Sequence, residues 1–483
     1  MTHPLSGLEP KLLWDHFAAL AAIPRGSKNE AAASPHVVAV AARLGLPAKV
    51  DSVGNVVISK PGTKGLESKP VVGLQGHVDM VCEKNSGTAH DFTKDPIRLV
   101  VDGDVVKADG TTLGADNGIG CAAALAILES NDLAHPPLEC LFTIDEETGM
   151  TGANVLAPGF VTGRRMLNLD TEEEGAVYVG CAGGVDTLAT TKVARTKPSA
   201  AVSPYRISVT GLRGGHSGCD IHEGRVNALK VLARAVTEAG AFGFAAATLD
   251  GGSKRNAIAR EGFAVGWLDP VKEPEVRAAL AKLEADVRSE AGRFDNPVNV
   301  GLERIDAAPD PIAEGDLKRI VGFIHAAPHG VLGWSPDIPN LVQTSTNLAI
   351  VETKDDVVSF STSQRSSVES AKKDAGRMMA TAMGLAGFEV KQGDGYPGWK
   401  PNVTSPLLGL AKEVHAELFG KEPEVKAIHA GLECGIIGEK YPGMDMISFG
   451  PTLEGVHSPD EKIYVDTVPL FWNFLVGILK NVA

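Results

Sequence analysis

The run Val71-Val72-Gly73-Leu74, closing on Gln75-Gly76-His77-Val78-Asp79-Met80, constrains the fold more than any other stretch of the chain. An apolar run this short reads as a buried strand. Sites in open α/β sheets gather at the carboxyl ends of strands, and residues two apart on an extended chain share a face. His77 and Asp79 are therefore expected to point into one cleft. Taken alone, His-x-Asp also fits a turn histidine hydrogen-bonded to a nearby carboxylate. The pattern gains weight because it recurs. Leu138 to Ile144 ends in Asp145-Glu146-Glu147-Thr148-Gly149, Met166 to Leu169 delivers Asp170, Asp116 sits in a glycine-rich bend, and His457 lies in Gly455-Val456-His457-Ser458. Together these supply enough imidazole and carboxylate ligands for two metal ions.

A chain of 483 residues with 43% hydrophobic content exceeds one ordinary core, so at least two domains are expected. With 46 basic against 60 acidic residues and no basic stripe, nucleic acid is not an expected partner. The N-terminal Met1 to Gly7 lacks a basic and an apolar segment, and no apolar run approaches the roughly 20 residues of a membrane span. Six scattered cysteines without a Cys-x-x-Cys pair read as buried free thiols of a cytoplasmic protein.

Periodicity predicts helices over 11–23, with Leu12, Leu13, Phe17, Leu20 and Ile23 on one face, and over about 29–44, followed by a hairpin broken at Gly54-Asn55. Residues 83–112, rich in Gly, Asp and Thr, read as an active-site loop. Leu113 to Gly120 leads into a helix; its glycines also suggest a phosphate cradle, but the spacing matches neither nucleotide fingerprint and no lysine follows. From Tyr205 the pattern changes to alternating strands and amphipathic helices, including the glycine-rich turn Arg213 to Gly218 before a helix. That change predicts an inserted α+β domain, and the chain returns near Tyr396-Pro397-Gly398-Trp399. The expected architecture is α/β: a catalytic domain over 1–186 and 397–483, its mixed sheet flanked by helices, interrupted by a lid or dimerisation domain over 187–396.

Adjacent carboxylates repel unless a cation or a raised pKa relieves them. On a surface a pair such as Glu146-Glu147 is ordinary and solvated, but at the end of a buried strand it favours a cation. Oxygen and imidazole donors without thiolates suit zinc, manganese or cobalt. A two-ion site activates a bridging water, and one further carboxylate must stand aside to move its proton.

His77-Val78-Asp79, Gly114-Ala115-Asp116-Asn117, Asp145 to Gly149, Asn168-Leu169-Asp170 and Gly455 to Ser458 resemble the ordered motifs of the M20 metallopeptidases, most closely those of its dipeptidases, over essentially the whole chain. The resemblance implies His77 and Asp170 on one metal, Glu147 and His457 on the other, and Asp116 bridging them. It implies that Asp79 orients His77, that Glu146 is the general base acting with a metal-bridging hydroxide, and that the Asp116-Asn117 peptide is cis. His216 matches a lid histidine that polarises the scissile carbonyl, and Asn256, Arg365 and Gly431 become candidates for holding substrate. In the relatives that these motifs resemble, an aspartate at the Asp170 position goes with substrates bearing a free amino terminus. The expected activity is hydrolysis of such dipeptides, Xaa-His included, with zinc foremost and a homodimer possible. The rivals are an N-acyl amino acid deacylase or tripeptidase of the same superfamily, and a non-catalytic metal- or amino-acid-binding protein.

Overall fold

The computed structural model describes residues 3–482 and divides into two compact units. The first runs to Cys181 and resumes over Trp399–Ala427 and from Leu432; the second is Ala182–Gly398 with Ile428–Gly431.

The first unit is built on an eight-stranded mixed sheet. Its centre is Val72–His77, buried at every position, which pairs in parallel with Leu138–Thr143 on one side and Arg165–Asn168 on the other. Asp445–Ser448 pairs in parallel with Arg165–Asn168, so a strand from the far end of the sequence lies inside the sheet. Strands buried on both faces must be covered by helices. One of these, Ala115–Glu129, is buried almost all round because it packs against both the strand Val72–His77 and the helix Lys11–Ala21. Helices Ala33–Leu44, Pro406–Phe419 and Thr467–Asn481 complete the unit's long helices.

The second unit carries a nine-stranded sheet whose strand pairs are antiparallel, with helices Ala228–Gly240, Glu273–Ala291, Glu314–Ala326 and Glu369–Leu385. Its apolar core joins alternate strand residues, such as Tyr205, Ile207 and Val209, to helix residues such as Leu232, Leu280 and Ile324. The helix Ala228–Gly240 begins where Asn227 accepts from the backbone N–H groups of Leu229 and Lys230.

Several local expectations change. Leu12 is 36% exposed, while Leu13 and Trp14 are fully buried, so the buried face of the first helix is rotated by one position. Residues 83–112 are not merely a loop, because Leu99–Asp102 and Val105–Ala108 form an antiparallel hairpin that joins a small four-stranded sheet. His216 lies in the short strand Gly215–His216, paired with Ala257–Ile258, rather than in a turn. Four cysteines are buried, but Cys82 and Cys219 are exposed.

Candidate metal centre

The carboxyl ends of the three central parallel strands converge on His77, which is 1% exposed. Its Nε2 lies 3.1 Å from Asp116 Oδ1 and 3.2 Å from Asp170 Oδ1, while Nδ1 faces Asp79 Oδ1 at 3.3 Å. Asp79 accepts from Ser27 Oγ at 2.8 Å and from the backbone N–H groups of Glu146 and Glu147 at 3.1 and 3.3 Å. One buried carboxylate thus lies against the imidazole and holds the turn that bears both glutamates.

Asp116 divides its oxygens. Oδ1 faces His77, while Oδ2 lies 3.3 Å from Nε2 of His457, which in turn is 2.9 Å from Glu147 Oε2. His77, Asp116 and Asp170 form one group able to hold a cation, and Asp116, Glu147 and His457 a second; within each, the donor atoms lie within 4.8 Å of one another. Glu146 also falls in a group with His77 and Glu147. The Asp116-Asn117 peptide is cis.

The donor set fits divalent ions. Glu147 Oε1 is buried without a hydrogen-bond partner, and Asp170 Oδ1 has only the ion-pair approach of His77 Nε2 at 3.2 Å, a costly state for buried carboxylate oxygens unless a cation takes them. Burial, with Asp116 and Glu147 nearby, pushes the Asp170 carboxyl up to about 7 against the pull of His77. Burial also drives Glu146 well above its usual range, aided by Asp170, Glu433 and Glu147. Burial would depress the imidazolium of His77, yet Asp170, Asp116 and Asp79 hold its pKa well above the ordinary value. Hydrogen bonds to Asp116 and Glu147 raise His457 to about 11. Five acidic side chains facing two imidazoles leave an excess of negative charge that divalent ions would neutralise.

Beneath the candidate ligands lies a buried polar chain that sequence reasoning missed. Thr143, Gln75, Asn168 and Ser448 come from four adjacent strands; Asn168 donates to Gln75 Oε1 at 2.5 Å, and Ser448 donates to Asn168. The available signal was period two: Gln75 stands two residues before His77, and Asn168 two before Asp170.

The four remaining candidates lie in the second unit. His216 and Asn256 are brought together, since Ser217 N donates to Asn256 O at 2.8 Å. His216 Nδ1 accepts from the N–H groups of Gly218 and Cys219 at 3.3 and 3.0 Å, so its neutral ring carries the proton on Nε2. Arg365 is 7% exposed and donates to Tyr396 Oη at 2.8 Å. It stands opposite Ser345, whose hydroxyl lies 2.7 Å from Nε2 of His429, in the segment that carries Gly431. A Cβ on Gly218 would meet His429 O at 2.2 Å and His216 Cε1 at 3.0 Å, so the His216 and His429 segments adjoin there.

A mixed α/β core with this cluster of imidazoles and carboxylates at its strand ends matches the profile of peptidase family M20/M25/M40 over residues 73–481, and the chain belongs to that family. It is 38% identical, over 99% of both chains, to the cytosol non-specific dipeptidase of Escherichia coli (strain K12). Its structure superposes on that of the aminoacylhistidine dipeptidase from Vibrio alginolyticus with a TM-score of 0.89 and 40% identity, covering 99% of this chain and 98% of the other. Aminopeptidase PepT from Bacillus cereus ATCC 10987 shares the fold at 16% identity and a TM-score of 0.56, over 98% of this chain and 99% of that one.

Proposed function

We propose that the protein is a dinuclear metallo-dipeptidase that hydrolyses dipeptides with a free amino terminus, Xaa-His among them. The observation that carries this reading is the division of the Asp116 carboxylate between the His77 and His457 groups. The relatives named above, one a cytosol non-specific dipeptidase and one an aminoacylhistidine dipeptidase, support the substrate class and a cytoplasmic location. Among the described residues no helix is long and apolar enough to cross a membrane.

His77 and Asp170 would hold one ion, Glu147 and His457 the other, and Asp116 both. When bound, two such ions, zinc foremost with cobalt or manganese as alternatives, polarise the scissile carbonyl and acidify the attacking water. Asp79 holds the His77 ring in place and anchors the Glu146-Glu147 turn. Glu146 accepts the water's proton and passes it to the departing amine. The Nε2–H of His216 donates to the carbonyl oxygen as it gains charge, and Asn256, Arg365 and Gly431 bind the rest of the substrate.

A panel of dipeptides with free and with acylated amino termini, assayed with zinc, manganese and cobalt, tests the proposal. Turnover confined to free amines is expected. Preference for acylated substrates or for tripeptides would give the site to a rival activity, and absence of turnover with every metal would leave a binding protein.

A further inference from the structure

We propose that Glu461 is a positioning residue that sets the separation of Asp116 and His457, with Arg25 holding the same turn from its other side; this rests on the two-ion reading above.

The turn Leu113 to Asp116 enters the helix Ala115–Glu129 with Gly114 in the left-handed region at φ 69° and Asp116 outside helical geometry at φ −82°, ψ 113°. The N–H groups at a helix start need acceptors, and a local Ser, Thr or Asp side chain ordinarily supplies one. No such side-chain cap is present at this helix. Instead, one distant carboxylate, 2% exposed, accepts from four consecutive residues. Glu461 Oε2 takes Leu113 N at 2.7 Å and Gly114 N at 3.0 Å, and Oε1 takes Ala115 N at 2.7 Å and Asp116 N at 3.4 Å. These contacts also dispose of the phosphate-cradle reading, because the N–H groups a phosphate would need are already engaged.

The origin of this cap matters more than its presence. Glu461 stands four residues after His457, in a loop closed on itself: Ser458 N donates to Gly455 O at 3.1 Å, and Glu461 N donates to Ser458 O at 3.1 Å. Gly455 has φ 67°, and a Cβ there would meet Asp460 O at 2.7 Å, so the loop has little room to relax. The imidazole of His457 and the carboxylate of Glu461 therefore sit on one compact turn, and the carboxylate grips the backbone of Asp116 itself.

On the other side of the turn, Arg25, 1% exposed, donates through Nη2 to Gly114 O at 2.5 Å and through Nη1 to the carbonyls of Val78 and Asp79 at 2.9 and 3.0 Å. A Cβ on Gly114 or on Gly118 would come within 2.6 Å of Nη2, which explains glycine at both positions. Arg25 thus ties the Asp116 turn to the strand end that follows His77, and Glu461 ties it to the His457 loop.

This division makes the two cation groups unequal. In the group Asp116, Glu147 and His457, two of three donors depend on Glu461. In the group His77, Asp116 and Asp170, one does, and Arg25 still holds that turn.

The test is calorimetric titration of zinc into the metal-free full-length protein and its Glu461→Gln variant, with circular dichroism and melting to establish folding. Glutamine retains one acceptor oxygen and sets an amide NH2 against the remaining N–H groups. Wild type should take up two ions. The variant should bind its first ion within about threefold of wild type and its second 10- to 100-fold more weakly, the range typical when a group supporting a metal ligand is lost. Raised zinc should then restore kcat. Glu461→Asp, which keeps the charge on a shorter arm, should fall between the two, and it carries the test alone if the glutamine variant does not fold. A folded variant that binds both ions as wild type does, or weakens both equally, overturns the proposal. Failure of wild type to bind two ions would instead overturn the two-ion reading on which it rests.

Discussion

Gln75 Nε2 donates to Glu433 Oε2 at 2.6 Å, joining the central ligand-bearing strand to the helix Glu433–Lys440 through a carboxylate that is fully buried. Thr143 Oγ1 donates to the same oxygen at 2.5 Å. Glu433→Ala removes the shorter acceptor of each donor and leaves only the longer contacts, Gln75 Nε2 to Thr143 Oγ1 at 3.2 Å and Thr143 Oγ1 to Gly76 O at 3.3 Å, a loss of about 0.5 to 1.5 kcal/mol for each hydrogen bond. The urea midpoint should fall accordingly. Glu433→Gln keeps an acceptor and should be milder; equal midpoints for the alanine variant and wild type would mean that water replaces the carboxylate.

Chelation should abolish hydrolysis and lower the melting temperature, because the carboxylates around His77 then face one another without a cation. Adding zinc to a hundredfold above its Kd should restore about 2.7 kcal/mol of stability per site. Elemental analysis checks the premise: full activity in protein shown to be metal-free would remove the metal centre from the mechanism.

The adjacent glutamates separate by substitution. Glu146→Gln should retain near-normal metal content while kcat falls by about 10² to 10⁴. Glu147→Gln should lose metal, since its Oε2 faces His457 at 2.9 Å. The opposite pattern would exchange their roles.

For His216, whose tautomer is fixed by two backbone N–H groups, replacement by alanine should lower kcat by about 10² to 10³ with a smaller change in KM. Metal content should not move. Wild-type turnover in His216→Ala would exclude the residue from the reaction.

Stability should also depend on pH through His429. Burial, reinforced by the charge of Arg365, pushes its imidazolium down to about 3 from an ordinary 6.5. The folded state keeps the ring neutral while the unfolded chain takes up a proton below 6.5. The contribution is therefore complete above pH 6.5 and is lost as pH falls toward 3, at about 1.4 kcal/mol for each pH step of one across that interval. His429→Gln should flatten the dependence of the urea midpoint on pH across that window; an unchanged slope would assign the acid sensitivity elsewhere.

The strands that end at the candidate cation groups were legible because each is a short apolar run leading to a histidine or carboxylate, as at His77 and Asp170. The second unit was legible as alternating strands, since one face of Ser203–Thr210 packs on helices. Contacts between residues far apart in sequence were not. Nothing local to Glu461 or Arg25 reveals that they close on one turn, and an isolated buried charge in sequence looks like any surface charge. The hairpin within 83–112 escaped because its strands are only four residues each, too short to show a period, and follow a polar stretch rich in Gly, Asp and Thr.

The strand Asp445–Ser448 lies between Arg165–Asn168 and Ala176–Cys181, although residues 182–444 separate it from both in sequence. During synthesis the ribosome adds roughly 5 to 20 residues per second, so this interval lasts tens of seconds. Throughout it, one edge of Arg165–Asn168 has no partner and offers its backbone to any passing strand. A nascent chain that already contains His77, Asp116 and Asp170 can thus gather the first candidate cation group while its sheet remains open. Premature termination before Asp445 would release a species with a permanently exposed seam, and slow translation across the long second unit prolongs the same exposure in every copy made.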